Sequence, residues 1–462
     1  MTPLACANPT CPHREHIKTL EGALALTRQE LAELRAKVWG RKHLPPAVSE
    51  EVPPVAPKKR GAPVGHPGWF RKTPTRMDET IEVTLTRCPH CGSRALTEDP
   101  DVEEHVQEDI VVPQVQVTKF RRHHYRCRGC GAGVAGVGPE ELPGSYIGPR
   151  AKSLAVWLKY EIKMSDRDLR RLFEKLFSLK VVVASIFGFK NQIRRASATV
   201  YEAMTQAIQR SRQVHVDETG WRLDGKNAWL WGFVTPLVAL SHIDRSRGRK
   251  VLEALLGKDY RGTLIADFLA VYNQFNAKAK QRCLVHLQRE LKKILTLADL
   301  DEATRSWCES LKALVKRALV LRDALRQRHV TRVTFVRRRA ALERELEDFT
   351  ILHPTRPIVQ RLAKRVARHK GELLTFLHDL TLDPDNNRAE RHLRPHVIFR
   401  KVTFGNRSET GVLNHNVLTS VLQTAKLHQQ EGWPVLHRLL TLPPRQRTLA
   451  VVMGRGPRSP SR

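Results

Sequence analysis

Between residues 213 and 286 the apolar pattern takes on the alternating period of strands, and the order of segments it writes leaves few folds open. Residues 213–218, 228–235 and 237–244 read as three consecutive strands, parted by turn residues at Asp224-Gly225-Lys226-Asn227 and at Pro236. A helix over 249–256, a strand over 263–267, a short helix over 269–275 and a strand over 282–286 follow. The expectation is an antiparallel meander feeding a parallel crossover, hence one mixed sheet.

That order is the order of a ribonuclease-H-like domain, and two of its strands run into acids, at Val216-Asp217 and Ala266-Asp267. In such a fold the first strand and the strand after the first crossover are neighbours, so Asp217 and Asp267 should meet at one edge. Unpaired buried carboxylates cost several kcal/mol, so strand-end acids that meet are usually paired with cations or bound to metal. Holding two hard cations requires a third oxygen donor, which normally arrives on a helix packed against the sheet. The candidate is Glu390 in Asp385-Asn-Asn387-Arg-Ala-Glu390-Arg. Each acid has a plainer alternative: Asp217 as a turn residue, Asp267 as the cap of the helix beginning near Leu269, and Glu390 as the partner of Asn387 in a capping box. Three acids on the right elements of one fold favour the metal reading.

The chain has 462 residues, enough for two to four domains, and a formal net charge of +32. Basic residues occur in nearly every segment, which points to a polyanion, with nucleic acid the first candidate. A membrane-surface protein is the rival, but neither a lone cationic amphipathic helix nor a lipidation motif stands out. No signal peptide is evident, and the longest apolar run, over 181–189, is far too short to span a bilayer. The expected compartment is therefore the cytosol, where closely spaced cysteines more often bind metal than form disulfides.

The expected organisation begins with residues 1–43, whose Ile17, Leu20, Leu24, Thr27, Leu31, Leu34 and Val38 recur in steps of three and four. This fits a short coiled coil or one amphipathic surface helix. Residues 44–78 form a proline-rich basic linker. Residues 79–145 carry Cys88-Pro-His-Cys91-Gly and Cys127-Arg-Gly-Cys130-Gly, the two knuckles of a zinc ribbon with structural Zn²⁺ on Cys88, Cys91, Cys127 and Cys130. Cys6, Cys11, His13 and His16 form a weaker, irregular set that leaves metal binding open. Residues 146–210 are helical. Ser165 and Asp168 open one helix, and a second bears Lys190, Arg194 and Arg195, so a DNA-binding helix-turn-helix or a plain helical connector is expected. The catalytic core would occupy 211–286, a charged helical insertion 287–380, the rest of the core with C-terminal helices 381–445, and a basic disordered tail 446–462.

The runs His215-Val-Asp217-Glu-Thr-Gly-Trp221, Lys226-Asn-Ala-Trp-Leu-Trp231, Gln281-Arg-Cys283-Leu-Val-His286, Asp385-Asn-Asn-Arg-Ala-Glu-Arg391 and Leu393-Arg-Pro395 closely resemble the insertion-sequence 66 family of DDE transposases. The resemblance extends over the leucine-rich start, the Gly-His-Pro-Gly segment, the ribbon, the helical segment, the core and Gly405-Asn-Arg-Ser-Glu-Thr-Gly411, in the family's order. It implies that Asp217, Asp267 and Glu390 are the catalytic triad, binding two Mg²⁺ ions, with Mn²⁺ as the substitute. Cys283 and His286 match the family's Cys-x-x-His element, in which His286 orients a catalytic group or the scissile phosphate, or is a satisfied core histidine.

The implied activity is hydrolysis of a phosphodiester at a transposon end, followed by attack of the freed 3′-hydroxyl on target DNA. Arg388, Arg391 and Arg394, beside the third acid, are the expected phosphate contacts, with exposed solvated arginines the alternative. Partners would be double-stranded DNA, further copies of the chain assembled on it, and accessory proteins of the same element. Two other readings share the scaffold: a catalytically inactive DNA-binding regulator, and a ribonuclease-H-like nuclease without strand transfer. One stretch departs from the family: Lys180-Val-Val-Val-Ala-Ser-Ile-Phe-Gly is more apolar than the polar turn expected between two DNA-binding helices.

Overall fold

The computed structural model describes residues 74–87, 89–96, 106–108, 115–297, 300–349 and 356–455. The leucine-rich start, the Cys6 to His16 set, nearly all of the linker, Cys88 and the last seven residues lie outside them. The chain divides into two compact units, 1–109 and 110–462. The described residues of the first unit form turns, bends and extended chain.

The second unit starts with a small hairpin, β1 (His124–Arg126) and β2 (Gly133–Ala135), then four helices: α1 (Pro149–Tyr160), α2 (Asp166–Phe177), α3 (Val183–Ala196) and α4 (Ala198–Gln209). Ser165 caps α2, its Oγ accepting from the Asp168 amide at 3.1 Å, as the Ser-x-x-Asp spacing predicts. These helices are not a separate body. Leu169, Phe173, Ile186, Ile193, Val200 and Met204 share one core with Val214, Val216, Phe233 and Leu240 of the sheet that follows. This packing accounts for part of the apolar 180–188 stretch: Val181 and Ile186 are buried in that core, whereas Val182, Val183 and Phe187 are exposed.

The sheet contains β3 (Gln213–Leu223), β4 (Lys226–Val234) and β5 (Ala239–Asp244), then α5 (Arg249–Leu256), β6 (Asp259–Ala266), α6 (Ala270–Gln274) and β7 (Asn276–Arg282). Strand order is β5-β4-β3-β6-β7; β3 to β5 pair antiparallel, and β6 and β7 run parallel to β3. Asp224 and Gly225, with φ of +53° and +71°, make the tight turn between β3 and β4, the left-handed pair that suits the twist of a two-residue hairpin.

Two of the differences from the strand reading bear on the site. β3 runs on to Leu223, because antiparallel pairing with β4 continues through Leu223 opposite Lys226, whereas the parallel ladder to β6 extends only from Gln213 to His215. Asp217 therefore lies inside a strand, just past the end of its parallel pairing. The strand expected over 282–286 runs instead from Asn276 to Arg282, and His286 sits in the first turn of α7 (Leu284–Leu295). The apolar Leu284-Val285 pair belongs to a helical stripe, with Leu284, Leu287, Leu291 and Ile294 all buried.

Helices α7, α8 (Glu302–Arg326), α9 (Arg332–Asp348) and α10 (Pro357–Leu373) pack around a second core that includes Leu287, Leu311, Leu342 and Leu362. The chain then returns through α11 (Asn387–Thr403), α12 (Glu409–Leu427), α13 (Gly432–Thr441) and α14 (Leu449–Val452). The tail expected to be disordered from 446 is thus ordered further, since Val451 and Val452 are buried in the main core.

Helix α12 closes the β5 edge in an unusual way. Asn416, Ser420 and Thr424, four residues apart, accept from the amides of Ile243, Ser241 and Ala239, two residues apart, at 3.0, 2.8 and 3.0 Å. Four helical residues advance about 6.0 Å and two strand residues about 6.8 Å, near enough for a polar helix face to stand in for a neighbouring strand.

Candidate active site

Asp217 and Asp267 reach one side of the sheet by register. His215 pairs with Ile265, so each acid lies two residues beyond a paired position, where alternation keeps side chains on the same face. The Asp217 carboxyl is pushed up to about 8, first by burial and then by the negative charges of Glu218, Asp267 and Glu390; the amide of Glu218 opposes this. Like charges crowded into a poorly solvated place raise a carboxyl in this manner. Asp267 Oδ1 accepts from the Leu269 amide at 2.8 Å, so it closes the turn before α6 and also faces the acid cluster.

Glu390 comes from α11, 123 positions after Asp267 in the sequence, and three hydrogen bonds around Asn386 bring it back. The Asn386 side-chain amide donates to the Val216 carbonyl at 2.8 Å, its backbone amide donates to Cys283 Sγ at 3.1 Å, and the Leu284 amide donates to the Pro384 carbonyl at 3.0 Å. Cys283 is in turn tied to Ala266 by a 2.9 Å backbone bond. The turn before α11 is therefore fastened to the strand of Asp217 and to the junction after Asp267. Asn386 is the N-cap residue but makes no side-chain cap, and Glu390 stands at the fourth helical position. A capping box needs its acid at the third position, so that alternative for Glu390 fails.

Around Glu390, His286 Nδ1 lies 3.7 Å from Oε1 and Arg289 Nη2 lies 3.5 Å from Oε2. The first separation is too long for a hydrogen bond, and both His286 Nδ1 and Glu390 Oε1 are buried atoms without a hydrogen-bond partner. Buried orphan donors and acceptors among acids fit a site built for cations.

A fourth acid, Glu218, was not singled out by the sequence. As the next residue along β3 it alternates to the opposite face from Asp217. There its side chain is 2% exposed, accepting from Arg247 Nη2 at 2.7 Å and from the Tyr272 hydroxyl at 2.5 Å. The Arg247 guanidinium lies 4.2 Å from the centre of the Trp229 ring. The only sequence signal was the doublet Asp217-Glu218 itself.

The basic residues expected to meet DNA divide. Arg195, Arg391 and Arg394 are exposed and Arg194 is half-buried. Arg388 is paired with Asp383 at 2.5 Å. Lys190 departs from expectation: it is buried, and its ammonium lies 3.1 Å from Asp166, which also pairs with Lys159 at 3.3 Å. A charge neutralised inside the fold is not offered to a phosphate.

In the ribbon segment, the Cys127 amide donates to the Ala132 carbonyl at 2.8 Å and the Gly131 amide to the Cys127 carbonyl at 2.9 Å, closing the knuckle between β1 and β2. Gly131 has φ of +73°, which the tight turn requires. Backbone amides of Cys130 and Gly129 draw the Cys127 thiol below its ordinary value, favouring the thiolate a zinc ion needs. Cys91 belongs to the other compact unit.

Among the described residues no helix is long and apolar enough to cross a membrane. A search of the curated proteins finds no match. Residues 86–131, which include all four ribbon cysteines, match the zinc-finger binding domain of transposase IS66. Residues 144–413, more than half of the 462-residue chain and spanning the sheet, the helical insertion and the helix of Glu390, match the Transposase IS66 family, and the chain belongs to that family.

Proposed function

We propose that this transposase cuts DNA at the ends of its element and joins them to a target, using Asp217, Asp267 and Glu390 on a ribonuclease-H-like sheet. The observation that carries this reading is the convergence of the three acids, from a strand, a strand end and a distant helix, on a carboxyl held up to about 8. Asp217, Asp267 and Glu390 would hold two Mg²⁺ ions, Mn²⁺ being the substitute, and the bound ions supply neutralisation of phosphate charge and activation of the attacking oxygen.

The protein's own groups do the rest. Asn386 holds the turn before Glu390 against β3, so the third acid is positioned before DNA arrives. Arg289 and His286 stand beside Glu390, within reach of a phosphate approaching that carboxylate. Exposed Arg391 and Arg394 on α11 provide positive charge along the same helix, and Arg195 on α3 a further contact. The zinc-binding segment, with Cys88, Cys91, Cys127 and Cys130 as ligands, recognises the terminal repeats, and several copies of the chain assemble on the paired ends.

The test uses full-length protein, Mg²⁺ and DNA carrying the inverted repeats that flank the reading frame. Cutting and joining are expected, and Asp217→Asn, Asp267→Asn and Glu390→Gln should each reduce both at least 100-fold while DNA binding persists. Cutting without joining would replace this reading with a simple nuclease. Unchanged joining in Asp217→Asn would overturn the triad.

A further inference from the structure

We propose that Cys283, His286 and Glu390 form a site for a borderline or soft divalent ion of the zinc, cobalt(II) or cadmium class, chemically distinct from the all-oxygen site but sharing its third acid. One ligand atom from each of the three residues lies within 4.8 Å of the others. Tetrahedral zinc with sulfur, nitrogen and oxygen donors places them about 3.4–3.7 Å apart, so closing the set takes side-chain shifts of about 1 Å. His286 Nδ1 and Glu390 Oε1 already sit 3.7 Å apart, and both are buried without hydrogen-bond partners. A cation placed between them would satisfy both.

The donor set also selects the ion. A thiolate and an imidazole favour zinc-class ions, whereas Mg²⁺ prefers carboxylate and water. The sulfur is held in place beside the other two donors: Cys283 is fully buried at the N-terminus of α7, and its Sγ accepts from the Asn386 amide at 3.1 Å. Burial pushes the Cys283 thiol up to about 11 against the pull of the Asn386, His286 and Val285 amides. The thiol therefore gives up its proton to solvent as the sulfur–metal bond forms, and affinity rises with pH. The His286 and Glu390 side chains are 36% and 27% exposed, so the set lies near the surface, and three protein donors leave the fourth position of a tetrahedral ion to water.

Glu390 engaged here is withdrawn from Asp217 and Asp267. On the reading of Glu390 as the third catalytic acid, zinc-class ions bind competitively and slow the Mg²⁺-supported reaction.

The experiment is a Co²⁺ titration of the full chain with its ribbon already loaded with zinc, followed by near-ultraviolet thiolate-to-cobalt absorption. One further equivalent carrying this band is expected. Cys283→Ser should abolish the band, His286→Gln should weaken Co²⁺ binding at least 10-fold, and Asp217→Asn should leave the band in place. No band in the wild-type chain, a band that persists in Cys283→Ser, or equal affinity in His286→Gln would overturn the site. His286→Gln, at a partly exposed position, carries the test if Cys283→Ser does not fold. Because the readout is absorption, its failure is distinct from failure of the catalytic reading, which Asp217→Asn tests by DNA joining.

Discussion

Gly232 of β4 sits directly opposite Asp217 of β3, and the space its missing side chain leaves is filled by α11. A Cβ at Gly232 would stand 2.7 Å from His392 Cδ2 and 3.1 Å from Leu393 Cδ2. The helix that carries Glu390 approaches the strand of Asp217 as closely as it does because this position is glycine. Gly232→Ala is expected to push α11 outward, cost about 1–3 kcal/mol in stability, and lower DNA cutting at least 10-fold with DNA affinity retained. Wild-type cutting rates in a folded Gly232→Ala protein would contradict the expected link between helix approach and activity.

Asp217 sets a stability dependence that metal should reverse. Its carboxyl is raised from an ordinary 3.8 to about 8, so its contribution to stability is full below the ordinary value and is lost as pH rises through about 8. In chelator at pH 8, Asp217→Asn should melt about 2–5 °C above wild type, and Mg²⁺ should raise the melting temperature of wild type but not of the variant. Differential scanning fluorimetry with and without Mg²⁺ decides this.

Asn386 joins the strand of Asp217 to the helix of Glu390 through one side chain, so its variants should separate position from folding. Asn386→Ala leaves the buried Val216 carbonyl unpaired, an expected loss of about 1–3 kcal/mol. Asn386→Asp places a carboxylate against that carbonyl and should be worse. Chemical denaturation gives the stability order, and cutting assays at a temperature where Asn386→Ala is folded should still show a kcat defect.

A buried histidine chain predicts acid lability. Ser241 Oγ bridges His392 Nε2 at 3.0 Å and His396 Nε2 at 3.1 Å, and His396 Nδ1 lies 2.9 Å from His415 Nε2. Burial holds His392 down to about 4, His415 down to about 3, and His396 well below its ordinary value. Their stability contribution is therefore complete above the ordinary 6.5 and is lost as pH falls toward 4 and 3. Melting temperature should drop steeply between pH 6 and 4. A flat profile over that range would show that the three rings stay solvated.

Much of this arrangement was legible in the chain because it depends on local rules. The Ser165-to-Asp168 spacing, the Asp224-Gly225 turn and the alternation of 213–244 each report a backbone preference that tertiary packing reinforces. The extent of β3 beyond Asp217 was not legible, since it is set by a partner strand rather than by its own residues. Nor was the placement of His286, whose apolar neighbours fit a short strand or one stripe of a helix equally well. Lys190 reads as a DNA contact until Asp166, 24 residues earlier, is seen to neutralise it. Glu390 is a candidate from the need for a third oxygen donor on a helix, and resemblance adds to it; what holds it in place is Asn386, whose bond to Val216 spans 170 residues and leaves no periodic trace.

The polar face of α12 also limits how copies of this chain associate. The amides of Ala239, Ser241 and Ile243 are occupied by Thr424, Ser420 and Asn416. At the other margin the Lys280 carbonyl of β7 is taken by Thr375 and the Gln281 side chain is bound to the backbone of Phe376 and Leu373. The β5 margin therefore presents no bare row of amides on which a foreign strand could template itself, and the 280–281 end of β7 is covered as well, so the sheet is guarded there against edge-to-edge stacking. On the proposed reading, copies that gather on a pair of DNA ends would meet through helices, loops or the nucleic acid itself rather than across β5, and such contacts could be dissolved after joining without unpicking a shared sheet.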